Sequence, residues 1–246
     1  MLKTTDSQTG SSNRPKKSKP KKKFRKLVEF KSISSSIAEA HYDGPAGAVL
    51  SMASKVSLHE PLVGHLLKSG KFDVTRFRNV LDIGSGAGQI LGHLIKICQP
   101  EARLVGIDLS HEMLRRARNR LRSDRPVFVS ADMTQLPFAD SSFDCITCGW
   151  VIEHLPQPAP GLNEFHRVLQ PGGSVLMLVT EDTIAGAFNS RFWKCRTFNR
   201  REFEQACVDA GLGWEEEFWL TPLHKLFKAG GILVEARKAD EPNQSE

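Results

Sequence analysis

No apolar run in this 246-residue chain approaches the roughly 20 residues needed to cross a bilayer. The N-terminus lacks the apolar stretch that would follow the basic residues of a signal peptide. These absences favour an intracellular, cytoplasmic protein, or a nuclear one if the source is eukaryotic, given the basic run at 14–26. The five cysteines, Cys98, Cys145, Cys148, Cys195 and Cys207, are odd in number and scattered, which argues against a disulfide framework. Cys145 and Cys148 form a CxxC, but they lie in a stretch that reads as a strand. Residues three apart on a strand point to opposite faces. The pair is therefore expected to be two small buried apolar side chains, not a shared metal site or a disulfide. No internal repeat and no nucleophilic triad is visible.

Basic character is also missing from most of the chain. Of the total charge of +6, residues 1–30 carry ten Lys/Arg against two Asp/Glu, a net of +8 that leaves −2 for the rest. The body is near neutral, which weakens any claim of a basic binding face on the domain. Residues 1–35 are rich in Ser, Lys and Pro and include RPKKSKPKKKFRK at 14–26. Such a stretch cannot bury enough apolar surface to offset its ordering entropy, and it is expected to be a disordered basic tail. A nuclear localisation signal, a nucleic-acid arm, an arm for anionic membranes and a solvated tail with no specific partner all remain open. Phe24 is the one aromatic residue within this run, so the basic residues carry no series of aromatics for base stacking.

What is present is an ordinary globular composition, 40% hydrophobic and 25% charged, with an alternation of strands and helices. Residues 37–71 read as helical with a break at Gly44-Pro45, because Leu58, Leu62, Val63, Leu66 and Leu67 recur at helix spacing. Strands follow at 79–83, 103–108, 127–131, 145–148 and 174–180, separated by helices at 89–98, 111–122 and 161–169. Ser110 is placed to cap the second of these helices, and Pro171-Gly172-Gly173 to close the third. Asn199 and Glu202 suggest a capping box for a helix at 200–210, closed by Gly211. Two last strands are expected near 215–219 and 231–237. The near-continuously apolar strands imply an α/β, Rossmann-like, mostly parallel sheet with helices on both faces.

The chemistry-bearing motif is VLDIGSGAGQ at 80–89, a buried strand running into a glycine-rich turn and then a helix. Gly84, Gly86 and Gly88 let the backbone bend and approach a ligand closely at the crevice where strands end. Dinucleotide sites space their glycines as GxGxxG, whereas here they alternate. Asp82 stands just before them, where a carboxylate suits an ammonium group and sits badly beside pyrophosphate. Asp108 ends the next strand, placed either to accept from ribose hydroxyls or to form an Asx-turn before the helix.

Asp82-x-Gly-x-Gly-x-Gly88, Asp108, Ala131-Asp132-Met133, LPFADSSFD at 136–144 and LQPGG at 169–173 occur in this order. Together they resemble class I S-adenosylmethionine (SAM)-dependent methyltransferases, specifically the type 11 group that includes the ubiquinone/menaquinone C-methyltransferases. The likeness is strong over residues 78–181, weaker in the C-terminal helix and strands, and absent from 1–35. It implies a seven-stranded sheet, a SAM-dependent methyltransferase domain at 76–240 and an N-terminal helical cap over the active site at 36–75. It implies that Asp82, with the Gly84–Ser85 turn, holds the methionine ammonium, directly or through water. Gly86 and Gly88 would make room for the ligand. Asp108 would bind the ribose and Leu109 would pack on the adenine. Asp132 would accept from the adenine amino group while the Met133 amide donates to the ring, and Trp150 would line the methionine end. Met113 is either an adenine neighbour or a core residue.

Some relatives bind a divalent ion through Glu-x-x-Glu-His. In WVIEH at 150–154 Trp150 replaces the first Glu, so the ligand set is incomplete and no metal is expected. Glu153 and His154 remain weak candidates for a general base, or simply cap the helix that follows. Methyl transfer by in-line displacement from a sulfonium needs alignment and water exclusion more than a nucleophile, which fits the missing triad.

The acceptor pocket should come from outside the common sheet: from His41-Tyr42-Asp43, from 181–198 and from 219–228. Phe188, Phe192, Trp193, Phe218, Trp219, Leu223 and Phe227 would line a site for a small apolar or aromatic molecule, or else belong to the core. The alternatives are a methyltransferase acting on RNA or protein with the basic tail as tether to an anionic partner, and a non-catalytic SAM-binding protein.

Overall fold

The computed structural model describes residues 28–29, 59–183, 195–227 and 231–240. Asn79–Ile83 (β2) is buried at four successive positions, which only a strand covered on both faces allows. Arg103–Asp108 (β3), Val127–Ser130 (β4) and Phe143–Gly149 (β5) are buried in the same way. They pair in parallel in the order β4-β3-β2-β5, and Leu169–Val179 (β6) extends the parallel run beyond β5. Ile232–Lys238 (β8) then pairs antiparallel with β6, and Leu212–Glu217 (β7) antiparallel with β8 at the edge. These are the seven strands expected. An eighth, Val28–Glu29 (β1), pairs in parallel with β4 at the other edge, so the stretch expected to be a disordered tail contributes a strand at these two residues. The rest of 1–35, and residues 36–58 of the expected cap, lie outside the described residues.

Successive strand residues face opposite layers. Val80, Leu104, Cys145 and Leu176 meet His59–Lys68 (α1), Gln89–Ile97 (α2) and His111–Leu121 (α3). Leu81, Val105, Ile146 and Val175 meet Ala159–Val168 (α4) and Arg200–Asp209 (α5). Cys145 and Cys148 fall into different layers, as the period of two requires, and both are free thiols.

Side-chain chemistry sets the connections. Ser110 caps α3 by accepting from Met113 N at 3.1 Å. Asn199 caps α5 by accepting from Arg201 N, but Glu202 does not close a capping box, because its carboxylate pairs with Arg196 at 2.6 Å. Pro171 to Gly173 do not separate α4 from the next strand. Leu169 already pairs with Phe143, and the register shifts before Ser174 meets Cys145, so the turn is an irregularity within β6. Strand β7 starts earlier than expected, at Leu212, because left-handed Gly211 (φ 79°) leads from α5 directly into the sheet. The LPFADSSFD segment is fastened at both ends. Asp144 accepts from the Arg78 and Asn79 amides, each at 2.8 Å, and Arg167 donates to the Leu136 and Phe138 carbonyls. Pro222–Phe227 (α6) lies between β7 and β8. Among the described residues no helix is long and apolar enough to cross a membrane.

Candidate functional site

The parallel strands all end on one side, and β3 and β5 flank β2, so the crevice beyond β2 is the topological switch point. The glycine turn lies there. Gly84, Gly86 and Gly88 have φ of 65°, 50° and 81°, the left-handed region that a side chain disfavours. Their needs differ. A Cβ on Gly84 would lie 2.1 Å from Val151 Cγ2, and one on Gly88 would lie 2.8 Å from Leu121 Cδ1 of α3. Gly88 is buried and serves helix packing, so it is not itself an opening for a ligand. Gly84 and Gly86 are partly exposed, and a Cβ on Gly86 would meet nothing nearer than Gln89 Oε1 at 3.4 Å. Gly86 is the least crowded of the three, with Gln89 Oε1 and Met113 Cε at ordinary contact distance.

Asp82 is only 1% exposed. Its Oδ1 accepts from Thr147 Oγ1 at 2.6 Å and its Oδ2 from Ser85 Oγ at 2.8 Å. Burial pushes its pKa up to about 6, against the two hydroxyl bonds, with the Asp108 charge adding to the rise. Asp82 thus staples β2, β5 and the turn together from beneath. Asp108, at the end of β3, is half-buried. Its Oδ2 accepts from Gly86 N at 2.8 Å and its Oδ1 from Ser110 N at 2.9 Å. The Asx-type bond to Ser110 and a place on the crevice therefore coexist in one residue. Leu109 beside it is also partly exposed.

Beyond β4, Asp132 Oδ1 accepts from both the amide and the hydroxyl of Thr134, each at 2.8 Å. Ala131 N donates to Asp108 O at 3.2 Å, which holds the ends of β3 and β4 in register beside the crevice. The Met133 side chain is buried in the α4/α5 layer, so only its backbone is placed to meet a ligand. Met113 is a core residue at 2% exposure.

On the other side of β2, Trp150 follows β5 with φ 56°, a left-handed conformation unusual for a bulky residue. Its amide donates to Leu178 O at 2.7 Å, and its side chain packs on the α1/α2 layer. Glu153 and His154 stand on the 3-10 turn Ile152–His154. They separate sharply, since His154 is exposed and Glu153 is 3% exposed. Glu153 Oε1 accepts from Thr180 Oγ1 at 2.6 Å, while its buried Oε2 takes no hydrogen bond. Burial raises its pKa to about 7, against the Thr180 bond. Arg196 N donates to the Glu153 carbonyl at 3.0 Å, tying the 195–198 segment to this turn.

Residues 81–177 match the family model for the methyltransferase domain. A demethylmenaquinone methyltransferase from Roseiflexus sp. is 39% identical over 98 residues, covering 40% of this chain and 41% of that protein. A ubiquinone/menaquinone biosynthesis C-methyltransferase from Hahella chejuensis is 35% identical over 104 residues, covering 41% and 42%. The chain thus spans about two fifths of the length of these curated relatives. A chain of the Haloferax volcanii complex between the Trm112 methyltransferase activator and a methyltransferase superposes with a TM-score of 0.68 at 23% identity. That match covers 84% of this chain and 99% of the other. Geranyl diphosphate C-methyltransferase from Streptomyces coelicolor, solved with S-adenosyl-L-homocysteine, superposes with a TM-score of 0.58 at 16% identity, covering 72% and 75%. Over residues 81–177 this chain is thus similar to a methyltransferase domain.

The cofactor of such a domain is S-adenosyl-L-methionine. The crevice would suit it in one respect: Gly84 and Gly86 are partly exposed, and the half-buried Asp108 carboxylate accepts from the Gly86 amide. Asp82, Gly84, Ser85, Gly86, Asp108, Leu109 and the Asp132–Met133 backbone gather around the ends of β2, β3 and β4. Two residues that support them carry no motif. Thr147 and Thr180 each hold a buried carboxylic group, and a lone Thr within or just after an apolar strand is the signal that marks them. On the acceptor side, Phe218 is core and Trp219 lies under the Arg200 guanidinium at 5.0 Å, while Leu223 is exposed. His41, Tyr42, Asp43, Phe188, Phe192, Trp193 and the Phe227 side chain lie outside the described residues.

Proposed function

We propose that this chain is an enzyme that transfers a methyl group from SAM to a small apolar or aromatic acceptor. The observation that carries the reading is the Gly86 amide on Asp108 Oδ2 at 2.8 Å, which brings a partly exposed glycine turn and a half-buried carboxylate together at one crevice. In this reading the half-buried Asp108 carboxylate binds the ribose hydroxyls, and Leu109 packs on the adenine. Asp132 presents Oδ2 to the adenine amino group, since Thr134 occupies Oδ1, and the Met133 amide meets the ring. Asp82 acts on the methionine ammonium through Ser85 and the turn, because it is buried beneath them and bonded to the Ser85 hydroxyl. Gly88 supports the turn by letting α3 approach, and Trp150 walls the methionine end. When bound, the cofactor supplies a methyl carbon on a sulfonium whose leaving group is neutral. The protein's part is to align the acceptor with that carbon and keep water out. Glu153 is the better placed of the two acid/base candidates, being buried beside the ends of β5 and β6 with one oxygen unoccupied. The acceptor class is supported by relatives named for methylating demethylmenaquinone and ubiquinone or menaquinone precursors. Incubating the protein with methyl-labelled SAM and organic-solvent extracts of cells should give labelled apolar products. Label recovered only in RNA or protein would overturn the acceptor class, and no label in any fraction would favour a non-catalytic SAM-binding protein.

A second reading rests on the ten Lys/Arg among residues 1–30: a tether for RNA or another anionic partner. Under it, deleting 1–26 abolishes salt-sensitive RNA binding. Under the first reading, deletion leaves methylation of extracted small molecules unchanged.

A further inference from the structure

The glycine turn is held from three directions, and only two belong to the common sheet. From β3, Ile107 O accepts from Ser85 N at 2.8 Å and Asp108 Oδ2 accepts from Gly86 N at 2.8 Å. From beneath, Asp82 binds the Ser85 hydroxyl. The third hold comes from α3. Arg120 Nη1 donates to the Ala87 carbonyl at 3.3 Å, while its Nη2 pairs with Glu60 Oε1 in the first turn of α1. A guanidinium is a rigid planar fork, so fixing one arm on a carboxylate aims the other. Among the described residues Glu60's second oxygen is buried and takes no hydrogen bond, and Arg120 is the side chain that pairs with this carboxylate.

Helix α1 is itself firmly seated. Val63, Leu66 and Leu67 are buried against Leu91 and Leu94, and a Cβ on Gly64 would lie 2.2 Å from the His93 ring. Glu60 thus has a fixed base from which to orient Arg120. The Ala87 carbonyl lies between two left-handed glycines, Gly86 and Gly88, whose backbone has the most freedom to rotate. The N–H of that peptide, on Gly88, donates to Ser85 O at 2.7 Å, and Arg120 adds a second hold at its carbonyl end.

We infer that Arg120, aimed by Glu60, is a positioning residue for the methionyl end of the cofactor, so that α1, outside the matched residues 81–177, belongs to the cofactor-binding unit. This rests on the reading that the Gly84–Gly86 rim receives that end. The test is calorimetry of the full-length protein with S-adenosylhomocysteine and, separately, with adenosine, which lacks the methionyl part. Arg120→Ala should weaken S-adenosylhomocysteine about tenfold, roughly 1.4 kcal/mol, and leave adenosine within about twofold. Glu60→Gln should give a smaller loss of the same kind, and the double variant no more than Arg120→Ala alone, because the two act as one unit. Arg120→Lys should not restore affinity, since one ammonium cannot span both partners. An unchanged S-adenosylhomocysteine affinity in folded Arg120→Ala and Glu60→Gln overturns the inference. So does an equal loss for both ligands with a lowered melting temperature, which would make the clamp a general stabiliser. If the unaltered protein binds neither ligand, the cofactor reading fails first and the inference with it.

Discussion

Two carboxylic side chains proposed for the site, Asp108 and Glu153, stand in opposite environments. Asp108 is half-buried and tied to two amides, so it offers the ligand a fixed carboxylate. Asp108→Ala should weaken SAM binding by roughly 1–3 kcal/mol, the scale for losing a charged acceptor. An unchanged dissociation constant in the folded variant would leave Asp108 with its turn role alone. Glu153 is buried, with its pKa raised to about 7 by desolvation. A carboxyl whose pKa is raised on folding binds more protons in the folded state. Its contribution is fully present below the ordinary value near 4.5 and is lost as pH rises through about 7. Glu153→Gln cannot ionise, so its melting temperature should fall less than that of the unaltered protein between about pH 5 and 8. Parallel curves would mean that the Glu153 charge is solvated. Asp82 follows the same sign at lower pH, toward about 6, and is present in both proteins, so the difference isolates Glu153.

At the scale of elements, the turn from β2 to α2 depends on glycines for unlike reasons, and paired substitutions separate them. Gly88→Ala should destabilise the fold by about 1–3 kcal/mol, since its methyl would collide with Leu121 in a left-handed backbone. Gly86→Ala has space for the methyl, so its effect on the unliganded fold should be smaller and its effect on cofactor affinity larger. Denaturant melts with and without S-adenosylhomocysteine would show it, and equal stability losses would refute the distinction. Local rules made several elements legible in the sequence alone. The Ser110 cap follows from side-chain reach, and the opposed Cys145 and Cys148 follow from the strand period. Interactions between distant residues were not legible. Thr147 meets Asp82 across 65 residues and Thr180 meets Glu153 across 27. Glu202 prefers Arg196 to the end of its own helix, and Leu169 joins the sheet before Pro171 because β5 offers it a partner. Each of these outcomes depends on which strand or loop lies alongside, and sequence spacing carries no record of that.

For the molecule as a whole, strand order joins these parts. Placing β2 between β3 and β5 makes the crevice, and α1 to α3 close one layer around the turn while α4 and α5 close the other. The antiparallel β8 and β7 extend the sheet away from the crevice, carrying the α6 connection between them. All of this organises a site for one kind of cofactor, marked by alternating glycines, a buried Asp82 and a half-buried Asp108. Titration calorimetry of the purified chain with S-adenosylhomocysteine and with NAD, under one set of conditions, tests that claim most directly. The account predicts saturable S-adenosylhomocysteine binding and no heat from NAD, while NAD binding without S-adenosylhomocysteine binding would contradict it.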